Sequence, residues 1–380
     1  MSKVLVVDDS ALMRRLLTGV LGDAGHQVKV AHNGADGLQQ LLEWQPDVVT
    51  LDINMPEMDG LTALSLMMQA RPTPVIMVSS LTERGAQATF EALALGAVDF
   101  IAKPGGTISL SVEDIREQLL EKVRGAARSR LRQRSLSAGA VRQPAEAAPA
   151  PPAPAAPGGA VPRSSLAARP SPLGARFERA SPVALGKLDG LVVIGVSTGG
   201  PRTLEDILPQ LPSDFPFPIV IAQHMPANFT DAFARRMESL CRLRVRECNT
   251  TLPLERGNAY IGKGGGDMVL VERLGRLAVQ PRPETPGHPW HPSVDVLVDS
   301  AMKLLPAAQI IGVQLTGMGN DGARTMAQLK QRGGRTIAES KETAVVFGMP
   351  NELIEMGGAS VVLPCGEVSR QLLHWARNKA

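Results

Sequence analysis

Apolar strands alternating with amphipathic helices predict an α/β protein with two doubly wound, mostly parallel-sheet domains. The alternation occurs twice, over residues 1–123 and again over residues 188–380. Between the blocks the composition changes abruptly, and in both blocks the polar, chemistry-bearing residues follow strands. A chain of 380 residues is long enough for two or three domains with full cores.

Composition excludes several function classes. Hydrophobic residues at 44% and charged residues at 20% are ordinary for a soluble globular chain. A formal charge of +3 is too small to argue for a nucleic-acid or membrane surface. The three cysteines, Cys241, Cys248 and Cys365, show no metal-ligand spacing and read as reduced thiols. Asp8 and Asp9 interrupt the N-terminal apolar stretch where a signal peptide would continue, and no apolar run is long enough for a bilayer. A cytoplasmic protein without direct membrane insertion is expected.

In the first block KVLVV, QVKVA, DVVTL, PVIMV and DFIAK read as five strands. Sites on parallel sheets gather at the carboxyl ends of strands. Those ends carry Asp8 and Asp9, Asp52, Ser79 and Lys103. Three clustered carboxylates need a cation, and all-oxygen ligation suits Mg²⁺. Asp52 could then accept a phosphoryl group as a carboxylate nucleophile. Lys103 would neutralise the phosphoryl charge and the Ser79 hydroxyl would bond to it. With the motifs VVDDS, LDINMPEMDG, MVSS and AKPG, this block resembles the flavodoxin-like receiver domain of two-component response regulators. The resemblance implies that Asp52 is the phosphoacceptor. It also implies that Asp8, Asp9, Asp52 and the backbone carbonyl of Asn54 serve the metal, with Ser79 and Phe100 as the switch pair.

VEDIREQLLEKVRG reads as the closing helix, and residues 124–187 as an Ala/Pro/Arg-rich linker too polar to offset its ordering entropy. The Arg-rich start, Arg124 to Arg134, could be a nucleic-acid arm, but it lacks interleaved aromatics.

The second block is organised around LVVIGVSTGGP, an apolar strand running through a glycine-flanked turn into a helix. The GxSxG spacing lets Ser197 project from a sharp strand-to-helix turn, as a nucleophile or as a structural or phosphate-cradling element. Its other strands include PIVIA, AQIIGVQL, RTIA and ASVVL, and DMVLVERLGRLAVQ reads as a hairpin turning near Leu274-Gly275. Three strand ends carry chemistry: Ser197, His224 in QHMP, and Asp321 in TGMGNDGA. A nucleophilic serine needs a base, and the base needs a carboxylate to hold its tautomer. His288 and His291, in PRPETPGHPWHP, compete for the base role, and His224 is preferred because a strand end is rigid. Asp321 read alone is equally an N-cap for ARTMAQL. The Gly317–Gly322 loop offers backbone N–H groups, Met318 among them, for a developing oxyanion.

With VSTGGP, QHMP, HPSVDVL, LTGMGNDGA and VFGMPNEL in order behind a receiver, the chain is similar to the CheB family, the chemotaxis response regulator protein-glutamate methylesterases. The resemblance implies a Ser197–His224–Asp321 triad, an oxyanion site at the Met318 N–H with Thr198 beside it, and no cofactor in the esterase site. It implies methyl-accepting chemotaxis receptors as substrate, in some relatives also through deamidation of receptor glutamines, and a sensor histidine kinase as phosphodonor. A monomer without nucleic-acid binding is expected. The alternatives are a phospho-dependent adaptor with little catalysis and a nucleic-acid-binding response regulator.

Overall fold

The computed structural model describes residues 1–80, 82–103, 112–129 and 188–377. The expected linker, residues 124–187, lies outside the described residues apart from 124–129.

In the N-terminal block five strands, β1 (Lys3–Val7), β2 (Gln27–Ala31), β3 (Val48–Asp52), β4 (Val75–Ser79) and β5 (Asp99–Ala102), pair in parallel in the order β2-β1-β3-β4-β5. Every residue of β3, β4 and β5 is buried, so these strands read as continuous apolar runs rather than alternation. The intervening helices are α1 (Ala11–Asp23), α2 (Gly34–Trp44), α3 (Gly60–Ala70) and α4 (Glu83–Leu95), with α5 (Val112–Arg128) last. Ser10, Asn33, Asp59 and Thr82 start the first four, each accepting a backbone N–H two or three residues into its helix. The strand order reverses between β1 and β3, which places a crevice at their carboxyl ends.

Helix α5 continues past residue 123. Its buried face, Ile115, Leu119, Val123 and Ala126, keeps helical spacing into the basic stretch, so Arg124 to Arg128 are helix rather than linker.

The C-terminal block is built on a seven-stranded parallel sheet ordered β15-β14-β13-β6-β7-β10-β8. In chain order its elements begin β6 (Leu191–Val196), α6 (Gly200–Ile207), β7 (Ile219–Gln223), α7 (Ala227–Leu240), β8 (Arg244–Cys248), β9 (Leu252–Pro253) and β10 (Asn258–Gly262). They continue with β11 (Asp267–Arg273), β12 (Arg276–Arg282), α8 (Val294–Leu304), β13 (Ile310–Gln314), α9 (Ala323–Gln331), β14 (Arg335–Glu339), α10 (Met349–Glu355), β15 (Val361–Leu363) and α11 (Cys365–Arg377). The first strand, β6, lies in the centre, with β7 on one side and the late strand β13 on the other. The switch point therefore falls at β6, where Ser197 follows the strand.

The expected hairpin is present as β11–β12, with Leu274 (φ 51°) and Gly275 (φ 73°) both left-handed, as a two-residue primed turn requires. Strands β8, β9 and β10 were not read from the sequence. RVREC carries three charged residues in five, and among the described residues it pairs with β10 alone.

The two blocks share an apolar core. Phe90 of α4 stacks on Phe233 of α7 with centroids 5.5 Å apart, and Phe100 of β5 packs at 4.4 Å on Phe229. Gly125 of α5 lies against the loops after β13 and β14: a Cβ there would stand 3.5 Å from Val346 Cγ2 and 3.7 Å from Met318 Sδ. Among the described residues no helix is long and apolar enough to cross a membrane.

Tyr260, fully buried on β10, donates its hydroxyl to the Pro253 carbonyl (2.6 Å) and accepts from the Glu255 N–H (3.0 Å). Tyr260→Phe strips both groups of their partner and is expected to cost about 1–3 kcal/mol of stability, read as a lowered thermal unfolding midpoint.

Candidate functional site

The C-terminal site is assembled by three neighbouring strands. Val196 pairs with Gln223 and Gly195 with Gln314, so the residues that follow β6, β7 and β13 emerge together. Ser197 donates its N–H to Thr316 O (2.9 Å), and His224 donates its N–H to Val196 O (3.0 Å). Gly199 is left-handed (φ 80°), and Pro201 sits in the first turn of α6. Gly317 lies so close to Ser197 that a Cβ would stand 2.7 Å from the serine Cβ.

Three of the expected residues meet at one place. His224, its side chain 8% exposed, places Nε2 2.9 Å from Asp321 Oδ2. A carboxylate only accepts, so Nε2 carries the hydrogen and Nδ1 is the basic nitrogen of the neutral ring. That Nδ1 is buried without a hydrogen-bond partner. Ser197, 8% exposed on the adjoining strand end, also makes no side-chain hydrogen bond among the described residues. The histidine–aspartate bond is therefore formed and the serine–histidine bond is not.

Asp321 is the most heavily engaged group. Oδ1 accepts the Ser293 hydroxyl (3.0 Å) and the Asp295 N–H (3.0 Å), while Oδ2 accepts the Val294 N–H (2.6 Å) beside His224. It thus sits at the N-terminus of α8, where free N–H groups and the helix dipole favour a carboxylate. The capping alternative fails: α9 begins after Gly322, which has no side-chain cap. Burial would push the Asp321 carboxyl up, but the His224 hydrogen bond and charge and the Asp295 and Val294 N–H groups hold it below the usual carboxylate range.

His288 and His291 bond elsewhere, His288 Nδ1 lying 3.3 Å from the Ser293 hydroxyl and His291 Nδ1 3.0 Å from Asp267. His288, Asp295 and Asp321 present atoms within 4.8 Å of one another, but the Asp321 oxygens already take four donors. The Met318 N–H hydrogen-bonds nothing among the described residues, and Thr198, 4% exposed, accepts the Thr316 hydroxyl at its carbonyl (2.8 Å).

The sequence reading missed several supports. Gln223 donates to Ser197 O (3.0 Å) and His224 O (3.1 Å), and Gln314 donates to Asp321 O (2.8 Å). These two buried amides tie the backbones of all three residues to the sheet. A glutamine ending an otherwise apolar strand was the available signal. Trp290, in the loop before α8, stacks on the His224 ring.

In the N-terminal block Asp8, Asp9 and Asp52 place carboxylate oxygens within 4.8 Å of one another. Lys103 Nζ lies 2.6 Å from Asp52 and 3.2 Å from Asp8. Buried Asp8 Oδ2 meets the Lys103 ammonium and no hydrogen-bond donor among the described residues, and three clustered carboxylates sharing one lysine are hard oxygens that fit a divalent cation. The Asn54 N–H donates to Asp52 Oδ1 (3.3 Å). Burial pushes the Asp52 carboxyl up against the pull of Lys103. Burial works against the Lys103 charge too, yet Asp52 and Asp8 hold its ammonium above the ordinary value. The Ser79 hydroxyl donates to Gly85 O (3.1 Å), and Phe100 is 3% exposed between Phe229 and Lys122, whose Nζ lies 5.6 Å over the ring. The cysteines are free, and burial pushes the Cys241 and Cys248 thiols up to about 12.

An acid pocket with a lysine on one parallel sheet, and a serine beside a histidine–aspartate pair on another, define a response regulator with an α/β effector domain. The response regulator receiver domain family matches residues 4–113, and the CheB methylesterase family matches residues 192–372. The chain is 52% identical to protein-glutamate methylesterase/protein-glutamine glutaminase 3 of Rhodospirillum rubrum, over 99% of this chain and 96% of that protein. It is 45% identical to enzyme 2 of that name from Rhodopseudomonas palustris, over 100% of both. The crystal structure of the Thermotoga maritima CheB methylesterase catalytic domain is 40% identical, with a TM-score of 0.47, covering 49% of this chain and 97% of that one. The chain belongs to the protein-glutamate methylesterase/protein-glutamine glutaminase family, with a receiver domain ahead of its CheB methylesterase domain.

Asp267, 2% exposed, anchors the loop before α8 by accepting Thr285 N–H, Ser293 N–H and His291 Nδ1. Burial alone would raise its carboxyl, but these hydrogen bonds hold it below the ordinary 3.8. A depressed native value gives stability that is present above the unfolded value and lost as the pH falls through the native one. The gap in unfolding midpoint between the wild type and Asp267→Asn should therefore be full above about pH 5 and shrink below about pH 4.

Proposed function

We propose that the protein hydrolyses γ-methyl esters of glutamate side chains on chemotaxis receptors, releasing methanol, and that phosphorylation of Asp52 controls this activity. The observation that carries the reading is the His224–Asp321 hydrogen bond on the strand end beside Ser197. Domain limits of 1–128 and 188–380 are part of the proposal, α5 moving the receiver's end from the expected 123 to residue 128.

Ser197 Oγ attacks the ester carbonyl while its proton passes to His224 Nδ1, the unpartnered nitrogen. A rotation of the serine side chain makes this bond when substrate is seated, since such contacts often tighten only in the complex. The Met318 N–H, with Thr198 beside it, receives the carbonyl oxygen as it gains charge. The imidazolium returns its proton to the departing methoxide, and methanol leaves an acyl-serine. Water, deprotonated by His224, attacks that ester, and the imidazolium hands its proton to the departing Ser197 Oγ as the glutamate carboxylate is freed. Asp321 stays ionised throughout, holding the ring and facing its positive charge. The same intermediate with ammonia leaving would account for deamidation of glutamine.

On the receiver, Asp8, Asp9, Asp52 and the Asn54 carbonyl would hold Mg²⁺, which neutralises phosphoryl oxygens when bound. Lys103 would pair with the phosphoryl group and the Ser79 hydroxyl would turn toward it, away from Gly85. A sensor histidine kinase is the expected donor, and the protein acts as a cytoplasmic monomer without nucleic acid. No comparable observation favours the adaptor or nucleic-acid readings. The Phe100–Phe229 contact and the position of Gly125 beside Met318 support a receiver that covers the esterase site until phosphorylated.

The test is methanol release from a peptide bearing a glutamate γ-methyl ester, with and without acetyl phosphate and Mg²⁺. Ser197→Ala should lose all release, whereas Asp52→Asn should keep the basal rate and lose the stimulation. Residual release near wild type in the first would refute the nucleophile, and full stimulation in the second would refute the switch. At Gly125 a Cβ alone would already touch Val346 and Met318, so the longer side chain of Gly125→Leu should press α5 away and raise the unstimulated rate severalfold; a lowered rate would mean that α5 supports the site.

A further inference from the structure

The loop between β12 and α8 does more than border the crevice. Its Trp290 indole lies parallel to the His224 imidazole, with ring centroids 5.8 Å apart and planes 5° from coincident. Gly319 has no Cβ where one would stand 2.7 Å from the indole, so the loop carrying Met318 leaves room for the tryptophan. Both ends of the strap are fixed to one buried carboxylate. Asp267 Oδ2 accepts the Thr285 N–H (2.8 Å), and Oδ1 accepts the Ser293 N–H (2.8 Å) and His291 Nδ1 (3.0 Å). Ser293 then donates its hydroxyl to Asp321 (3.0 Å), so the strap ends on the group that holds the imidazole.

We propose that Trp290 is a positioning residue for His224: the indole face, held by the Asp267–His291 anchor, fixes the imidazole plane and stabilises the cation it becomes on taking the Ser197 proton. This rests on the reading of His224 as the base. Asp321 fixes one edge of the ring but leaves rotation about that hydrogen bond open, and a stacked face closes that freedom. A cation within about 6 Å of an indole centroid is attracted to the ring, most strongly where water is scarce. The charged and titratable groups at this place are Asp321 against Nε2, with Asp295 and His288 beside that carboxylate. Trp290 is uncharged, so replacing it leaves all of these in place.

A role confined to proton transfer lowers kcat and leaves KM, and it needs an aromatic face rather than bulk. In the full chain activated by acetyl phosphate and Mg²⁺, Trp290→Leu should lower kcat for the γ-methyl ester peptide about tenfold, while Trp290→Phe stays within about threefold of wild type. KM should change less than twofold in both, and labelling of Ser197 by a fluorophosphonate should slow by the same factors as kcat. Trp290 is partly exposed on a surface loop, and thermal unfolding checks that both variants fold. Equal losses in the two variants, no loss in Trp290→Leu, or a change in KM alone would overturn the proposal. Wild-type labelling no faster than that of His224→Gln would remove the base reading instead, and the proposal would fall with it.

Discussion

Burying the Asp321 carboxylate is the constraint around which the C-terminal domain is arranged. An ionised group 3% exposed is tolerable only when its oxygens are fully hydrogen-bonded. Four donors meet that demand, and three come from the start of α8: the Ser293 hydroxyl and the Val294 and Asp295 N–H groups. The fourth is His224. The charge therefore joins α8, the loop after β13 and the end of β7 in a single contact. Its neighbours are shaped to it. Gly322 would drive a Cβ into Val294, and Gly195 likewise, so the first turn of α8 can close on the carboxylate only because both are glycine.

The serine side is held differently. Ser197 is positioned through its backbone, by Thr316 on one side and Gln223 on the other, and its hydroxyl is left unbonded. Fixing the backbone while leaving the side chain free suits a group that must change partner during a reaction. Thr316 is itself held by Glu339, whose Oε2 accepts its N–H at 2.9 Å, so a buried carboxylate one strand further out supports the turn. The site thus depends on two buried acids in different positions, one at the imidazole and one behind the serine.

Much of this was legible in the sequence, for stated reasons. Strands buried on both faces are uninterrupted apolar runs, and the residues that end them are conspicuous because polarity returns there; Asp8, Asp52, Ser197 and His224 were all found that way. Asp321 was ambiguous because an aspartate ahead of a helix has a local explanation, and the helix it serves begins 27 residues earlier in the chain. Gln223 and Gln314 were overlooked because their partners are backbone atoms of other strands. The extent of α5 was misjudged because arginine content masked an apolar face that continues through Ala126. Trp290 carried no local signal, since its meaning depends on a loop closing over a histidine 66 residues away.

Phe100 lies where the receiver meets the C-terminal domain. It follows Asp99, whose carboxylate pairs with Lys122 at 2.7 Å, and the same ammonium lies over the Phe100 ring. The ring also meets Phe229 on α7, with centroids 4.4 Å apart. A tyrosine hydroxyl at this position would need a polar partner in that contact, whereas phenylalanine enters it without one. Moving a domain contact from one part open in a hundred to half open requires about 2.7 kcal/mol of differential stabilisation. Two aromatic pairs, worth about 0.5–1.5 kcal/mol each beyond their area, are of that size. A phosphoryl group that drew Ser79 and Phe100 inward would weaken the Phe100 pair directly and the Phe90 pair through α4. Two modest contacts suit a switch better than one strong one, because each can be lost without unfolding either sheet.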